Sequence, residues 1–266
     1  MYCSTISQSK ADVFNDCKLK YRYRYVERIK EKSLNQDALN FGSYIHKIFE
    51  DGIKADSIEV LRELAERHKE EYSIKSKNKD KTEICLKNFI KLNNKLTKGG
   101  EAELRYEVPI SEEISVNGII DRIVQGDKGG YLIIDYKTGK REKSRVALYN
   151  DQQLQGYCFA VHKIYNIPIE EITVAHYYPV TDNLVSLKYS AAQISNYVKN
   201  KTNEVWKIRK CKKTDLMPSE NQFCNWCEYK TLCPIFTDPQ LIPTRLEEAK
   251  QNSKKDKTNK KKKTSK

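Results

Sequence analysis

The sequence has little that would place it in a membrane. It lacks an uninterrupted apolar run of about 18 residues, so it predicts no transmembrane helix. Its first residues, MYCSTISQSKADVF, have no apolar core of the kind that a secretory signal peptide carries. We therefore expect a cytoplasmic protein. Disulfides are rare in a reducing compartment, so the eight cysteines are expected to be free thiols or metal ligands.

Two further motifs are missing from the chain. The phosphate-binding loop G-x4-GK[ST], which P-loop motors use to hold ATP, does not occur. No zinc finger or other motif that reads DNA bases is recognisable. An ATP-driven motor would therefore be a separate protein. Recognition of a nucleic acid would depend on ends and strandedness instead of base sequence.

Positive charge dominates the chain, and much of it lies at the C-terminus. The formal net charge is +13, and the stretch from Lys250 onward, KQNSKKDKTNKKKKTSK, holds nine lysines against one aspartate. This segment has no apolar periodicity, so residues 250–266 are predicted to form a disordered tail. Two interpretations stay open: a solubilising tail, or a non-specific tether that gains affinity for nucleic acid by counterion release.

The remaining residues, 1–249, are enough for one large domain with an insert. The turn GDKGG predicts a hairpin between two strand-like segments, and TDN predicts a second hairpin. The order of elements predicts an α/β fold, with a mixed central sheet flanked by helices. Helices are expected at 5–30, 38–53, 55–98 (a helical insert with a loop at 75–81), 146–164 and 190–212. Strands are expected in AELRYEVPIS, ISVNGIIDRIVQ, GYLIIDYKTG, ITVAHYYPV and NLVSLKYS.

Two acids fall on neighbouring strands of the GDKGG hairpin. Asp121 lies in GIIDRI and Asp135 in LIIDYK, and period-2 geometry puts Asp135 and Lys137 on one face. Two nearby acids repel unless a cation lies between them, and Mg²⁺ prefers such carboxylate oxygens. Lys137 could orient or help deprotonate a water, or stabilise charge on phosphoryl oxygens. The alternatives stay open that Asp135 and Lys137 form a surface pair and that Asp121 pairs with Arg122.

The run from GIIDRI to DYKTG resembles the core of the PD-(D/E)XK nuclease superfamily. More narrowly, it resembles the RecB-type branch, which includes the CRISPR-associated small exonucleases and the AddB nuclease domains. GSYIHKIFE supplies the histidine that this branch carries on an early helix, and DQQLQGYCFAV supplies its glutamine and tyrosine four residues apart. The resemblance implies a restriction-endonuclease-like core.

The resemblance also implies a role for each matching residue. His46, Asp121 and Asp135 would bind Mg²⁺ or Mn²⁺ with help from the carbonyl of Tyr136, and Lys137 would be catalytic. Two further residues, Gln153 and Tyr157, would position the lysine or bind DNA. Glu107, on the preceding strand, resembles a recurrent acid of the branch and ranks below the others, since it could simply line the DNA groove.

A cysteine-rich segment follows the last predicted helix. CNWCEYKTLCP gives Cys224, Cys227 and Cys233, which is one thiolate short of a four-coordinate site. A subgroup of the RecB branch joins three such cysteines to one near the N-terminus around a [4Fe–4S] cluster. This resemblance implies Cys17 as the fourth ligand, although Lys18 stands where proline is common in the subgroup. Cys3 is a rival for that position.

Cysteine spacing alone leaves the metal open. Zinc and iron–sulfur clusters both accept four thiolates, so zinc is the alternative to the cluster. Cys158 is expected to lie in the core beside Tyr157. The cluster would join the first helix to the C-terminal segment and contribute to folding free energy.

The segment KLKYRYRYVERIK, 18–30, interleaves basic and aromatic residues. It could bind a single strand through phosphate contacts and base stacking. Alternatively, Tyr21 and Tyr25 could pack inward while the basic side chains are solvated, namely Lys20, Arg22, Arg24 and Arg28.

The resemblance thus implies a metal-dependent deoxyribonuclease, with an exonuclease acting on single-stranded or free DNA ends as the expected form. Protein partners in recombination, repair or CRISPR adaptation would fit such an enzyme. The alternative is a non-catalytic nucleic-acid-binding module with a four-cysteine zinc or iron–sulfur staple.

Overall fold

The computed structural model divides the protein into two compact units. The sheet unit contains Ser4–Gln8 and Asp37–Asn203, and the cysteine unit contains Ser9–Gln36 and Glu204–Lys266. The structure describes residues 4–31, 35–96, 99–127, 129–139 and 141–264, with side chains described as far as residue 253.

The sheet unit is built on a six-stranded mixed sheet. Its strands run in the order β1-β3-β4-β5-β6, and β2 pairs with β3. The β1–β3 and β4–β5 pairs are parallel, and the other pairs are antiparallel. Both predicted hairpins are present, and a mixed sheet was predicted. The strands are β1 Thr5–Ile6, β2 Glu101–Ser111, β3 Ile114–Gln125, β4 Tyr131–Tyr136, β5 Ile172–Tyr178 and β6 Asn183–Lys188.

Strand β3 pairs with three other strands, and this pairing leaves a gap in the sheet beside Asp121. One edge pairs with β2 along most of its length. On the other edge, β4 pairs with Arg122–Gln125 and β1 with Ser115–Val116. Neither β1 nor β4 pairs with the stretch between these segments, which ends at Asp121. The strands β3 and β4 therefore separate at Asp121.

The turn between β3 and β4 explains why glycine is needed there. Gly129 and Gly130 have φ values of 84° and 73°, which residues with a Cβ rarely adopt. A Cβ on Gly130 would also lie 2.6 Å from the carbonyl oxygen of Glu171. The turn signal in the sequence therefore reflects both backbone conformation and close packing.

Helices of the sheet unit include α3 Gln36–Asp51, α4 Ile58–Lys69, α5 Lys79–Lys95, α6 Arg145–Tyr149 and α7 Gln152–Tyr165. The predicted insert is helical, and the predicted loop contains a 3-10 turn at Ser76–Asn78. Helices α3, α4 and α5 share one apolar core with Ile134, Tyr136 and Tyr177 of the sheet. Helix α7 contacts β5, β2 and β3. Alternation along β4 directs Asp135 away from the core of Ile134 and Tyr136.

Two predicted helices are interrupted. The segment 5–30 contains β1, α1 Gln8–Asp16, α2 Lys18–Tyr21 and a π-helix at Arg22–Val26, and Cys17 between α1 and α2 is extended, with φ −158°. The segment 146–164 is divided between α6 and α7. Asp151 lies at this division because its carboxylate caps the new helix, accepting from the backbone N–H groups of Gln153 and Leu154.

The cysteine unit has its own small core, formed by Leu19, Tyr23, Ile29, Tyr229, Leu232 and Ala249. The Tyr23 hydroxyl donates to the Leu232 carbonyl at 3.0 Å, and the Tyr229 hydroxyl donates to the Ile29 carbonyl at 2.8 Å. These reciprocal hydrogen bonds join the early and late segments of the chain inside this unit.

Helix α8 spans Ala191–Lys210, and α9 spans Ile242–Thr264. The course of α9 differs from the disordered tail predicted from residue 250. Lysine has a good helix propensity, so a helix that starts with apolar contacts at Leu246 and Ala249 can extend into a lysine-rich segment. Among the described helices, none combines the length and apolar character required to span a bilayer.

We expect Phe89→Ala to destabilise the sheet unit by about 3–5 kcal/mol, because truncation of a buried aromatic residue leaves a cavity. Phe89 is fully buried and stacks on Phe49 with ring centroids 3.9 Å apart. Urea denaturation would measure the loss. Ile84→Ala, an exposed position on the same helix, is the control and should change stability by no more than about 0.5 kcal/mol. Equal effects of the two changes would contradict this account of the core.

Candidate active site

The first part of the site joins α3 to the end of β4 and the middle of β3. The Tyr136 backbone N–H donates to Oδ2 of Asp121 at 2.7 Å, across the gap where the strands separate. His46 contacts both residues: its Nδ1 lies 3.3 Å from Oδ1 of Asp121, and its Nε2 lies 2.9 Å from the carbonyl oxygen of Tyr136. An N–H at Nε2 would donate to this carbonyl and leave Nδ1 for a metal, which is the usual arrangement of a ligating histidine.

The electrostatics of His46 match a site for a cation. Burial lowers the pKa of His46, but the hydrogen bond and charge of Asp121, together with Asp135, outweigh burial and raise it overall. A proton on Nδ1 therefore stabilises the acids in the metal-free protein. A divalent cation would replace that proton.

Glu103 on β2 is the site residue that the sequence patterns did not reveal. Its carboxylate, His46 and Asp121 each offer a ligand atom, and these atoms all lie within 4.8 Å of one another. The neighbouring register pairs, Ala102 with Arg122 and Leu104 with Ile120, place Glu103 opposite Asp121. Burial and the charge of Asp121 raise the pKa of Glu103. Opposed carboxylates of this kind are stabilised by a cation between them.

A backbone feature accompanies this placement. Glu103 has φ 52°, in the left-handed region that residues other than glycine rarely occupy. The strand is therefore irregular at this residue, and simple alternation along AELRYEVPIS does not predict where its side chain points. Glu107, on the same strand, is exposed and accepts from the Thr5 hydroxyl at 3.2 Å.

The second part of the site is a buried ion pair. Nζ of Lys137 lies 2.5 Å from Oδ2 of Asp135, which is 2% exposed. The two side chains share a face, as period-2 geometry predicted. Burial raises the pKa of Asp135, and Lys137 opposes that effect. Burial lowers the pKa of Lys137, but Asp135 outweighs it and raises the pKa overall, so the lysine is an ammonium ion.

Helix α7 holds the lysine from the other side. Oε1 of Gln153 accepts from Nζ of Lys137 at 3.1 Å, and Nε2 of Gln153 donates to the hydroxyl of Tyr157 at 2.9 Å. Gln153 and Tyr157 are one helical turn apart and therefore lie on one face. The geometry supports the positioning role that the resemblance implied for this pair.

The structure brings two of the three predicted side-chain ligands into one group. Of the three predicted side-chain ligands, His46 and Asp121 are grouped, and Glu103 completes the group. Asp135 contacts Lys137 instead, and it also faces the fully buried His176, which pairs with it across β4 and β5. Burial lowers the pKa of His176 to about 4.

The donor set fits a hard or borderline divalent cation. Carboxylate oxygens suit Mg²⁺, and Mn²⁺ accepts both carboxylate and imidazole ligands. The opposed acids Glu103 and Asp121 provide the negative charge that such an ion balances.

The cysteine unit brings four thiols to one cavity of about 40 Å³, which is lined in part by Cys17, Cys224, Cys227 and Cys233. Backbone N–H groups point at three of the sulfurs. The N–H of Asn221 lies 3.3 Å from the Cys224 sulfur, Cys227 accepts from Tyr229, and Cys233 accepts from Ile235 and Phe236. Such donors stabilise thiolates and tune metal–sulfur centres. These thiols therefore fit a thiolate-bound metal.

The other cysteines are placed differently. Cys85 and Cys158 are fully buried, and burial raises the pKa of each to about 12, so both are inert core residues. Cys158 was predicted to lie in the core. Cys3, the rival ligand, lies outside the residues that the structure describes.

The basic and aromatic segment 18–30 is largely engaged within the cysteine unit. Inward packing, one of the two interpretations of this segment, is confirmed for Tyr21, which is buried; Tyr25 is only half-buried, and Tyr23, which was not predicted to pack inward, is buried as well. Lys20 and Arg24 both pair with Glu228. Base stacking on Tyr21 or Tyr23 would require the unit to open.

Residues 5–234 match the family model described as the PD-(D/E)XK nuclease superfamily, and the chain belongs to this superfamily. The family resemblance and the restriction-endonuclease-like α/β fold that were predicted from the motifs are thereby confirmed.

Similar proteins are found among helicase–nuclease subunits. The chain is 29% identical over 175 residues to a subunit of the ATP-dependent helicase/deoxyribonuclease of Streptococcus uberis, a match that covers 59% of this chain and 16% of that protein. The corresponding protein of Streptococcus agalactiae serotype Ia is 27% identical over 177 residues, with the same coverage of each chain. The chain thus spans about one sixth of the length of these curated relatives.

A solved structure shows the same fold at low sequence identity. The crystal structure of a candidate exonuclease from Eubacterium rectale is 13% identical and superposes with a TM-score of 0.56. The alignment covers 85% of this chain and 88% of that one.

We expect Glu103→Gln to weaken Mn²⁺ binding by about tenfold or more, because it removes one of two opposed charges that a cation would balance. Isothermal titration of the full chain with Mn²⁺ would measure the dissociation constant. Glu107→Gln is the matched control, since this acid is exposed on the same strand. An unchanged affinity in Glu103→Gln would show that Glu103 is not a ligand.

Proposed function

We propose that the chain is a metal-dependent deoxyribonuclease that hydrolyses phosphodiester bonds. The observation that carries this proposal is the convergence of His46, Glu103 and Asp121 beside the Asp135–Lys137 pair. His46, Asp121 and Asp135 would hold Mg²⁺ or Mn²⁺, with Glu103 as an added ligand. The Tyr136 carbonyl would assist by accepting the Nε2–H hydrogen bond that orients the imidazole. A bound divalent cation supplies an activated water and neutralises charge on the phosphate.

Lys137 has a defined role in this proposal. Its ammonium group is held between Asp135 and Gln153, so it provides a positive charge at a fixed position. Negative charge develops on the phosphoryl oxygens during hydrolysis, and a preorganised cation stabilises it. The Asp135 carboxylate raises the pKa of Lys137 against the effect of burial, which agrees with a charge-stabilising role.

DNA is the proposed substrate, with single-stranded or free ends preferred and exonuclease action as the mode. The net charge of +13 favours a polyanion. The relatives carry the word deoxyribonuclease in their names, and the fold resembles that of a candidate exonuclease. We also propose a helicase-type protein as a partner, because the relatives are named ATP-dependent helicase subunits while this chain carries no P-loop sequence.

We propose that Cys17, Cys224, Cys227 and Cys233 hold a [4Fe–4S] cluster. The shared cavity and the N–H groups aimed at three sulfurs support this assignment. A single tetrahedral zinc ion holds its sulfurs about 3.8 Å apart. The resemblance of the cysteine arrangement to the cluster-bearing subgroup favours the cluster over zinc. The cluster would join the extended residue after α1 to the C-terminal turns.

Lys137→Ala is expected to abolish metal-dependent digestion of labelled single-stranded DNA, with loss of at least about a hundredfold in rate. DNA binding, measured by fluorescence anisotropy, should change little, because one of many positive charges is removed. A chelator is the control for wild-type protein, and Lys87→Ala, which removes an exposed lysine of α5, is the control for charge. Wild-type protein that binds DNA but never cleaves it would identify the chain as a non-catalytic binding module.

Anaerobically purified protein is expected to be brown and to contain about four iron atoms per chain. Cys227→Ala should lose iron and unfold at a lower temperature, because metal binding contributes to folding free energy. An iron assay and a thermal melt measure both effects, with Cys211→Ala as the matched thiol control. One zinc ion per chain instead of iron would show that the four cysteines bind zinc. A colourless Cys227→Ala protein of unchanged stability would contradict the structural role of the metal.

A further inference from the structure

A buried histidine lies behind the catalytic ion pair. His176 on β5 is paired with Asp135 on β4 and has no exposed surface. Its Nε2 lies 3.6 Å from Oδ2 of Asp135 and 3.8 Å from Oδ2 of Asp151. One imidazole nitrogen therefore faces two carboxylates that come from different parts of the fold. Both separations are longer than a hydrogen bond, and Nε2 has no hydrogen-bond partner in the part of the chain that the structure describes.

Neighbouring groups determine which nitrogen of His176 carries hydrogen. The Tyr178 hydroxyl accepts from the backbone N–H of Lys143 at 2.7 Å, which leaves its own hydrogen to donate to Nδ1 of His176, 3.4 Å away. Nδ1 is then the acceptor and Nε2 carries the hydrogen. The opposite tautomer would turn a lone pair toward two carboxylates, which is electrostatically unfavourable.

The charges around His176 are already balanced. Asp135 pairs with Lys137, and Asp151 pairs with Lys143 at 2.7 Å. Each carboxylate thus has its own ammonium partner, and a third positive charge in this buried place would have no counter-ion.

Asp151 connects His176 to the helix that holds the catalytic lysine. Its Oδ1 accepts from the backbone N–H of Gln153 at 3.0 Å and of Leu154 at 3.1 Å, so it caps the start of α7. Gln153 in turn accepts from Lys137. The contacts therefore close into a ring that runs from Lys137 through Asp135, His176, Asp151 and Gln153 back to Lys137.

We propose that His176 is a positioning residue whose Nε2–H, held in that tautomer by Tyr178, couples the carboxylate of Asp135 to the N-terminal cap of α7. The role in catalysis rests on the proposed nuclease function. His176 touches neither substrate nor the reacting atoms; it keeps Asp135 and Gln153 in register so that Lys137 is presented from both sides. Its loss would lower the rate of the chemical step without weakening DNA binding.

The tautomer is measured directly by long-range ¹H–¹⁵N correlation on the metal-free, ¹⁵N-histidine-labelled full chain. His176 should show the neutral Nε2–H form, and its signals are assigned by their absence in His176→Gln. His162 is an internal reference for the opposite form, because its Nδ1 lies 2.6 Å from the carbonyl oxygen of Ile167, which can only accept. An Nδ1–H form or a charged ring at His176 would overturn the proposal.

Kinetics then test the coupling. His176→Leu removes the N–H that faces Asp135 and should lower kcat by about tenfold or more while leaving KM for DNA unchanged, a loss of the size that removal of an outer-shell partner causes. His176→Gln places an amide N–H near the Nε2 position and should recover most of that loss. A folded His176→Leu protein with full kcat would refute the proposal.

A second variant keeps the test decisive if His176→Leu does not fold. Tyr178→Phe should give a mixture of His176 tautomers and a lower kcat than Tyr44→Phe, which removes another buried tyrosine hydroxyl, bonded to the Ala65 carbonyl. Unchanged tautomer and kcat in Tyr178→Phe would contradict the proposal. Wild-type protein without any nuclease activity would contradict the proposed function. The tautomer measurement does not depend on activity, so it would still test the hydrogen position on His176.

Discussion

The hydrogen bond from the Tyr136 backbone N–H to the Asp121 carboxylate is the contact on which the site depends. It bridges the point where β3 and β4 separate, after β4 has paired with Arg122–Gln125. A backbone donor at the end of a strand would otherwise be unsatisfied, so this carboxylate replaces a missing ladder bond. The same bond brings Asp121 to the end of the strand that carries Asp135. Strand separation, which a regular hairpin avoids, is therefore what allows two acids and the carbonyl of Tyr136 to face His46.

Buried charge limits how such a site can be built. Removing one partner of a buried ion pair typically costs several kcal/mol, because it leaves the other charge without compensation. The sheet unit meets this constraint by pairing each buried acid with its own lysine, Asp135 with Lys137 and Asp151 with Lys143. Buried polar networks become rigid only when their members are satisfied. Charge is not balanced in this way at Glu103 and Asp121, where two opposed carboxylates share one imidazole. This excess of negative charge is what distinguishes a candidate cation site from a structural network.

Much of the fold and part of the site could be predicted from local patterns. Period 2 placed Asp135 and Lys137 on one face, and a four-residue interval placed Gln153 and Tyr157 together, because both depend only on the geometry of one element. Glu103 depends on the register between two strands and on a left-handed backbone angle, which alternation does not encode. His176 lies in the apolar run ITVAHYY, where a histidine looks like any other buried strand residue. The extended residue Cys17, which separates α1 from α2, was also not predicted, because the residues on both sides of it favour helix.

Donor chemistry explains how one chain could hold two kinds of metal without exchange. Thiolates are soft ligands that select iron–sulfur clusters or zinc, whereas carboxylate oxygens select Mg²⁺ and Mn²⁺. The thiols of Cys17, Cys224, Cys227 and Cys233 belong to the cysteine unit, and His46, Glu103 and Asp121 belong to the sheet unit. The first set offers only sulfur, and the second offers two carboxylates and one imidazole. A hard ion would therefore gain little at the cysteines, and an iron–sulfur cluster would find no thiolate in the acidic set. The two donor sets favour different metals through their side chains alone.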